Sequence, residues 1–371
     1  MKLLKYAIRT ISNIPGYSTR KKIVVIESDD WGSIRMPSLQ SLDKLEQKGL
    51  NLRAGDSSRY NLNDTLADSN DLTGLFEVLH SYKDHNGNPA CFTAMSLPAN
   101  PDFDKIRDAD FQNYHYEAFT KTLERYGRTG AFDLWKKGRE ENVFVPEYHG
   151  REHLNVVAWM RSLKRGDNET RLAFDEGLWA FSSSKTGGVN FQAPYDVEYP
   201  EDISEQVKII KDGLSLFEQV HGYKARFFVP PNGKINSAVE EGTHEGGIKY
   251  ISTPKIHHEV LGNKKTKKHF RYIGKKNKLG QTYLTRNAFF EPNQGMNKDH
   301  VDSCLKEIEM AFKYNKPAII SSHRCNYIGS LNTKNRSHGL NELGRLLRAV
   351  LKKWPETEFM SSSHLGRIIH T

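Results

Sequence analysis

The stretch Lys21–Gly32 reads KKIVVIESDDWG, an apolar run, Ile23–Ile26, that passes straight into Glu27, Ser28, Asp29 and Asp30. Four β-branched or aliphatic residues in succession suit a strand buried inside a parallel sheet. Two adjacent carboxylates at the end of such a strand are costly to bury unless one is bound to a cation and the other has a proton to take. In parallel β/α barrels the reactive side chains sit at the carboxyl ends of the strands. This one stretch therefore predicts both a parallel sheet and the place of its site.

The same grammar recurs outward from it: a short apolar run, turn residues, then helical periodicity. Strands are predicted at 21–27, 89–95, 142–147, 177–182, 226–230, 248–253, 317–322 and 357–361, and helices at 38–49, 71–83, 114–125, 153–164, 203–220, 299–315 and 340–353. Seven or eight strand–helix alternations without a Pro/Gly/Ser-rich linker predict an α/β fold, a parallel barrel of seven or eight strands, rather than two domains. The domain is expected to run over 1–371, with a basic helix at 1–20 and a helical and strand extension at 330–371.

Composition limits the function classes. With 371 residues, 37% hydrophobic, and 54 Lys+Arg against 45 Asp+Glu, net +9, the chain is neither disordered nor fibrous. Cys91, Cys304 and Cys325 are too few and too irregularly spaced for a disulfide framework or a cysteine zinc site, and point to a reducing compartment. Lys5 and Arg9 interrupt the start of the chain, so no secretion signal is read there, and no apolar run approaches the ~18 residues of a membrane span. A cytoplasmic setting is expected. Leu3, Leu4, Ile8, Ile11 and Ile14 recur at helical spacing, as a surface helix or as one lying on the inner face of the membrane. Segment 264–278, with eight Lys/Arg and no acid, reads as a solvated hairpin or an attractor of anionic substrate or lipid head groups. No nucleic-acid motif accompanies it.

Three further motifs carry chemistry. In Tyr148–Asn155, His149 and His153 stand four apart, so that on a helical turn both imidazoles reach one metal. With Asp30 they make two histidines and one carboxylate, a set that leaves a position open for water, as catalytic zinc requires. The same residues match H-x-x-E-H, the inverted zinc-protease motif with Glu152 as base, but Pro146 and Gly150 put His149 in a loop or first turn, and Asp29 and Asp30 would have no task. Arg226–Gly233 is a strand broken at Pro230 and Pro231, a rigid turn able to aim backbone N–H groups into a pocket as an oxyanion hole. Ile319–Arg324 is another strand ending on a histidine, His323, whose ordinary pKa near 6.5 suits proton donation.

In this order the pieces resemble the polysaccharide deacetylases of carbohydrate esterase family 4, the NodB homology group, in a divergent bacterial branch. Glu27–Asp30 is similar to the family's Thr-Phe-Asp-Asp-Gly, with Trp31 inserted before Gly32. Ala90–Thr93 echoes its Ala-Thr-Phe-Phe strand, His149 and His153 its His-Ser/Thr-x-x-His, Phe228–Gly233 its Phe-Arg-Pro-Pro-Tyr-Gly, and Ser321–His323 its late Leu-x-His. The chain departs at Gly150, at Val229, where the family has an arginine that orients the base, and at Asn232, where it has a tyrosine.

The resemblance implies a distorted (β/α) barrel of the glycoside hydrolase/deacetylase type and a hydrolase of carbohydrate metabolism that removes an acetyl group, above all N-acetyl, from a sugar. Asp30, His149 and His153 would bind one divalent ion, Zn²⁺ first, with Co²⁺, Ni²⁺ or Fe²⁺ as alternatives. Asp29 would be the base, His323 the acid, and the Asn232 backbone N–H an oxyanion donor. Trp31 would line the substrate site, and Arg226, Arg324 or Arg151 would replace the arginine missing at Val229. The expected partner is an acetylated sugar or glycan precursor, anionic or lipid-linked, with peripheral membrane contact through residues 1–20. An amidase acting on a non-sugar C–N bond and a catalytically silent carbohydrate-binding barrel are the competing expectations.

Overall fold

A computed structural model describes residues 13–55, 57–182, 189–295 and 298–370. Its main sheet consists of parallel strands β1 (Lys22–Trp31), β2 (Phe92–Ser96), β3 (Phe144–Tyr148), β4 (Phe227–Phe228), β5 (Tyr250–Ser252), β6 (Thr282–Leu284), β7 (Ala288–Phe289), β8 (Ala318–His323) and β9 (Thr357–Phe359). Their order is β6-β5-β4-β3-β2-β1-β8-β7, and β9 adds to the start of β1. The two edges, β6 and β7, are consecutive in the chain and joined only by Thr285, Arg286 and Asn287. Four Cα steps span at most about 14 Å. The sheet must therefore curl until its unpaired edges come within that distance, as in a distorted (β/α) barrel left open at one seam.

Alternation along β1 divides two cores. Val24 and Ile26 face outward and pack on the helices Ser69–His80, His300–Lys313 and Thr333–Lys353. Ile23 and Val25 face inward and form one cluster with Met95, Phe227, Tyr250, Leu284 and Ile319 from the other strands. The barrel floor is filled by the helix Ser362–His370, whose Leu365 joins that cluster and whose Ser362 Oγ donates to Glu27 at 2.8 Å. Segment 330–371, expected as an extension, thus contributes one stave and the stopper.

Several local expectations change. Residues 177–182 form no strand, and the predicted helix at 114–125 is a short strand, Tyr116–Ala118, followed by a helix, Phe119–Arg125. The basic segment agrees with the solvated-hairpin reading: its residues Thr266–Phe270 pair with Ile256–Val260 in an exposed two-stranded antiparallel ribbon. Most of the expected N-terminal helix lies outside the described residues, and Asn13–Arg20 is turns and extended chain. Among the described residues no helix is long and apolar enough to cross a membrane.

Gly366 shows how tightly the stopper is seated: a Cβ there would lie 2.5 Å from the ring of Tyr250. Gly366→Ala is expected to cost about 1–3 kcal/mol, the usual range for overpacking a core, read as a lower denaturant midpoint. An unchanged midpoint would mean that the helix is not held against the barrel.

Candidate metal centre and catalytic site

In a regular strand Asp29 and Asp30 would point to opposite faces. The register of β1 against β2 jumps between Ser28↔Ala94 and Trp31↔Ser96, so β1 carries one residue more than its partner. Asp30 takes up the excess at φ +78°, a conformation that side-chain-bearing residues rarely adopt. This bulge brings both carboxylates to the barrel mouth. It also turns Trp31 outward, where it is 1% exposed and packs on Trp135 and Phe144. Trp31, expected to line the substrate site, is packed in the helix-facing core.

His149 and His153 converge on Asp30 by an irregular loop, since the helix that follows starts only at Val156, capped by Asn155. The helical-turn geometry expected from their spacing is absent. Gly150, at φ +130°, permits the loop to turn under the Tyr195 hydroxyl, which a Cβ would meet at 3.2 Å. His149 Nε2 lies 3.6 Å and His153 Nε2 3.3 Å from Asp30 Oδ1. His149 Nδ1–H donates to the Val229 carbonyl at 2.7 Å, which leaves Nε2 with its lone pair toward Asp30, the usual orientation of a metal-ligating histidine. His153 stacks on Trp179, which lies in the segment predicted as a strand. Asp30 Oδ1 and His153 Nδ1 are buried without a hydrogen-bond partner. An orphaned buried carboxylate oxygen facing two imidazoles is a donor set that could hold a divalent ion, and the three candidate ligand atoms all lie within 4.8 Å of one another. Burial opposes ionisation of Asp30, but electrostatic attraction, that of His153 first, overrides it and holds the carboxyl well below its ordinary range.

Beside this triad Asp29 is gripped by Arg286, a residue that stood in no motif. Its Nη1 and Nη2 donate to the two Asp29 oxygens at 2.7 and 2.5 Å, its Nε to Glu27 at 2.6 Å, and Nη1 also to Ser321 Oγ at 3.0 Å. Burial pushes the Asp29 carboxyl upward, but Arg286 and His149 outweigh it and keep the group ionised. Glu27 is fully buried, and that desolvation raises its pKa despite the shared guanidinium.

Opposite lies His323, its Nε2 3.9 Å from Asp29 Oδ2 and its Nδ1 donating to Glu291 at 2.5 Å. Glu291 accepts further bonds from Arg59 at 2.6 Å and Asn326 at 2.9 Å. Burial disfavours the imidazolium, but the Glu291 carboxylate more than compensates, and the His323 pKa rises to about 9. The imidazole is thus protonated at neutral pH.

The other expected residues fall elsewhere. Arg324 is fully buried on Asp64 and the Ser33 carbonyl. Arg151 is spent on Glu152 and Asp212. Arg226 is exposed at the opposite end of β4, its backbone N–H on Glu147. None of the three touches Asp29, and Arg286 holds the position assigned to them. Glu152, the base of the protease alternative, accepts from Tyr114 and Arg151 rather than facing the triad. Asn232 stands at φ +54°, three residues past the carbonyl that orients His149, with its side chain on the Gln192 carbonyl. Near it a cavity of about 260 Å³ is lined by Leu52, Asn61, Leu178, Phe181 and Gln192.

No protein-family model matches the chain, and no curated protein does. Solved structures follow a similar path. A polysaccharide deacetylase from Pseudomonas aeruginosa PAO1 aligns over 95% of this chain and 92% of its own, with 10% identity and a TM-score of 0.48. One from Mycobacterium smegmatis covers 96% and 92%, with 10% identity and a TM-score of 0.44. The Puue allantoinase covers 95% and 92%, with 10% identity and a TM-score of 0.49. At these values the likeness is one of outline, and what the chain does rests on its side chains.

Two predictions follow from the charges. If His323 delivers a proton, the rate falls as pH rises through about 9, and Glu291→Gln, which removes the main cause of the shift, moves that limb down toward about 6.5. An alkaline limb indifferent to Glu291 would exclude His323 as the donor. Removing Arg286 raises the pKa of Asp29, so the acid limb moves to higher pH, and loss of orientation lowers turnover roughly 10²-fold. Arg286→Lys should restore only part of this, because one ammonium cannot hold both oxygens of Asp29 and also Glu27.

Proposed function

We propose that the chain is a metal-dependent hydrolase acting on the C–N bond of an N-acetyl group carried by a sugar or glycan precursor. The observation that carries this reading is a pair of proton-handling groups, Asp29 and His323, 3.9 Å apart beside an orphaned Asp/His/His set. Asp30, His149 and His153 would hold the ion, with Zn²⁺ first by the nitrogen and oxygen donors offered. When bound there, a divalent ion supplies Lewis-acid polarisation of the acetyl carbonyl and acidifies water.

The side chains do the rest. Arg286 fixes both oxygens of Asp29, leaving the carboxylate ionised at neutral pH and able to accept the proton of the attacking water. His323, kept as imidazolium by Glu291, donates to the departing nitrogen, without which an amide would have to expel a poor leaving group. The backbone N–H of Asn232, at the turn next to the Val229 carbonyl, is assigned to the developing oxyanion. The products are acetate and an amino sugar. Arg286 supplies the guanidinium missing at Val229, which answers one of the two departures that favoured a silent sugar-binding barrel; the other, Asn232 in place of a tyrosine, stands. A sugar precursor made inside the cell remains the proposed substrate, and the cytoplasm the proposed place.

Acetate release from a panel of N-acetyl sugars, set against small non-sugar amides, separates deacetylase from amidase. Asp29→Asn should lower the rate by about 10²–10⁴-fold while zinc binding persists. His153→Ala should lose zinc and activity together. Full activity in chelator-treated, metal-free protein would overturn the scheme, and hydrolysis of simple amides alone would overturn the sugar assignment.

A further inference from the structure

The arginines near the barrel mouth are nearly all neutralised. Arg59 is paired with Glu291, Arg286 with Glu27 and Asp29, Arg324 with Asp64, and Arg151 with Glu152. Arg35 is the exception. It is only 4% exposed, its Nε is buried with no acceptor, and among the described residues no carboxylate is salt-bridged to it. Asp64 feels its charge but is already engaged by two hydrogen bonds from Arg324, at 3.0 and 2.8 Å. A buried guanidinium whose Nε has no acceptor, and whose neighbouring carboxylate Asp64 is shared with Arg324, is left short of negative charge, and the backbone allows it no easy escape. The neighbouring Ile34 N–H is tied to Asn100 at 2.8 Å and Met36 N–H to the Asp64 carbonyl at 3.1 Å.

Its position relates it to the reacting groups. The Arg35 Cζ lies 4.4 Å from the ring centre of Tyr60, and that ring meets the His323 imidazole edge-to-face at 5.7 Å. Arg35 is thus within about 10 Å of the proton donor, one intervening aromatic ring away. The second cation on Tyr60, Arg59 at 4.3 Å, has Glu291 to itself as a salt-bridge partner, so of the two it is Arg35, sharing Asp64 with Arg324, whose charge is less compensated. Tyr60 cannot serve as its counter-ion, because burial holds the phenol neutral, far above its ordinary pKa.

We propose that Arg35 is the receptor for an oxyanion, carboxylate or phosphate, carried by the substrate on the leaving-group side of the scissile bond. A guanidinium offers such a group two parallel donors, and a ligand that fills the mouth excludes water from the pair. The substrate is then an acidic acetylated sugar rather than a neutral one. This deepens the deacetylase reading by naming the charge class of its sugar, but the anion site itself can be tested by binding without turnover.

The test is calorimetric titration of the zinc-loaded protein with three sugars: neutral N-acetylglucosamine, carboxylate-bearing N-acetylmuramic acid, and phosphate-bearing N-acetylglucosamine 6-phosphate. At least one acidic sugar should bind roughly tenfold or more tighter than the neutral one, the scale of a charge-assisted hydrogen-bonded pair, and the carboxylate and phosphate arms identify which anion fits. Arg35→Gln should erase that advantage. Arg35→Lys, which keeps the charge without the fork, should keep part of it and serves alone if the glutamine variant does not fold. Equal binding of neutral and acidic sugars, no binding of any, or an advantage unchanged in these variants would overturn the proposal. Acetate measured in parallel separates the two readings: discrimination without acetate release would refute the deacetylase and leave the anion site standing.

Discussion

One guanidinium reaches across the barrel from its seam. Arg286 lies between β6 and β7, the two edge strands, passes the inner face of β8 at Ser321, and ends on Glu27 and Asp29 of β1. The sheet is held by main-chain ladders everywhere along its path, but its two edges are not neighbours in that ladder. They are held near each other by three residues of chain and by the inner cluster that contains both Leu284 and Ile319. One side chain thus ties the segment between the edge strands to β1 and β8 and also sets the charge of Asp29. Buried ion pairs of this kind stabilise little in net terms, but losing one member leaves a stranded charge. The Ser362 hydroxyl on Glu27 extends the network to the floor of the barrel.

Much of the fold was legible because β-branched runs bounded by turns have few alternatives when they alternate with helical periodicity. Strand-end chemistry was legible for the same reason: Ile26 into Glu27 and Ile320 into His323 each place a polar group where a buried run stops. Arg286 was missed because its flanking strands, Thr282–Leu284 and Ala288–Phe289, are too short to show a period. Glu291 was also missed, though a signal existed. Ala288-Phe289-Phe290-Glu291 repeats the pattern of an apolar run ending on a carboxylate.

The two local errors at the site share one cause. Spacing arguments assume regular backbone, and this site is built where the backbone is irregular. A bulge at Asp30 reverses the faces that follow it, so Trp31 enters the helix-facing core. A loop at His149–His153 brings the imidazoles together by a path unrelated to the helical repeat. Neither irregularity is encoded by composition. Asp at positive φ is tolerated more readily than most residues, but it becomes visible only once the register of two strands is known.

The bulge also restricts how the sequence can drift. A carboxylate delivered by a left-handed aspartate has a fixed reach, and lengthening it by one methylene would aim it past the two imidazoles rather than at them. The remaining residues that tolerate that backbone, glycine and asparagine among them, lack a negative charge. Asp30 is thus constrained twice over, once by its main chain and once by its oxygen, while Asp29 beside it is constrained by its charge and by the arginine that answers it.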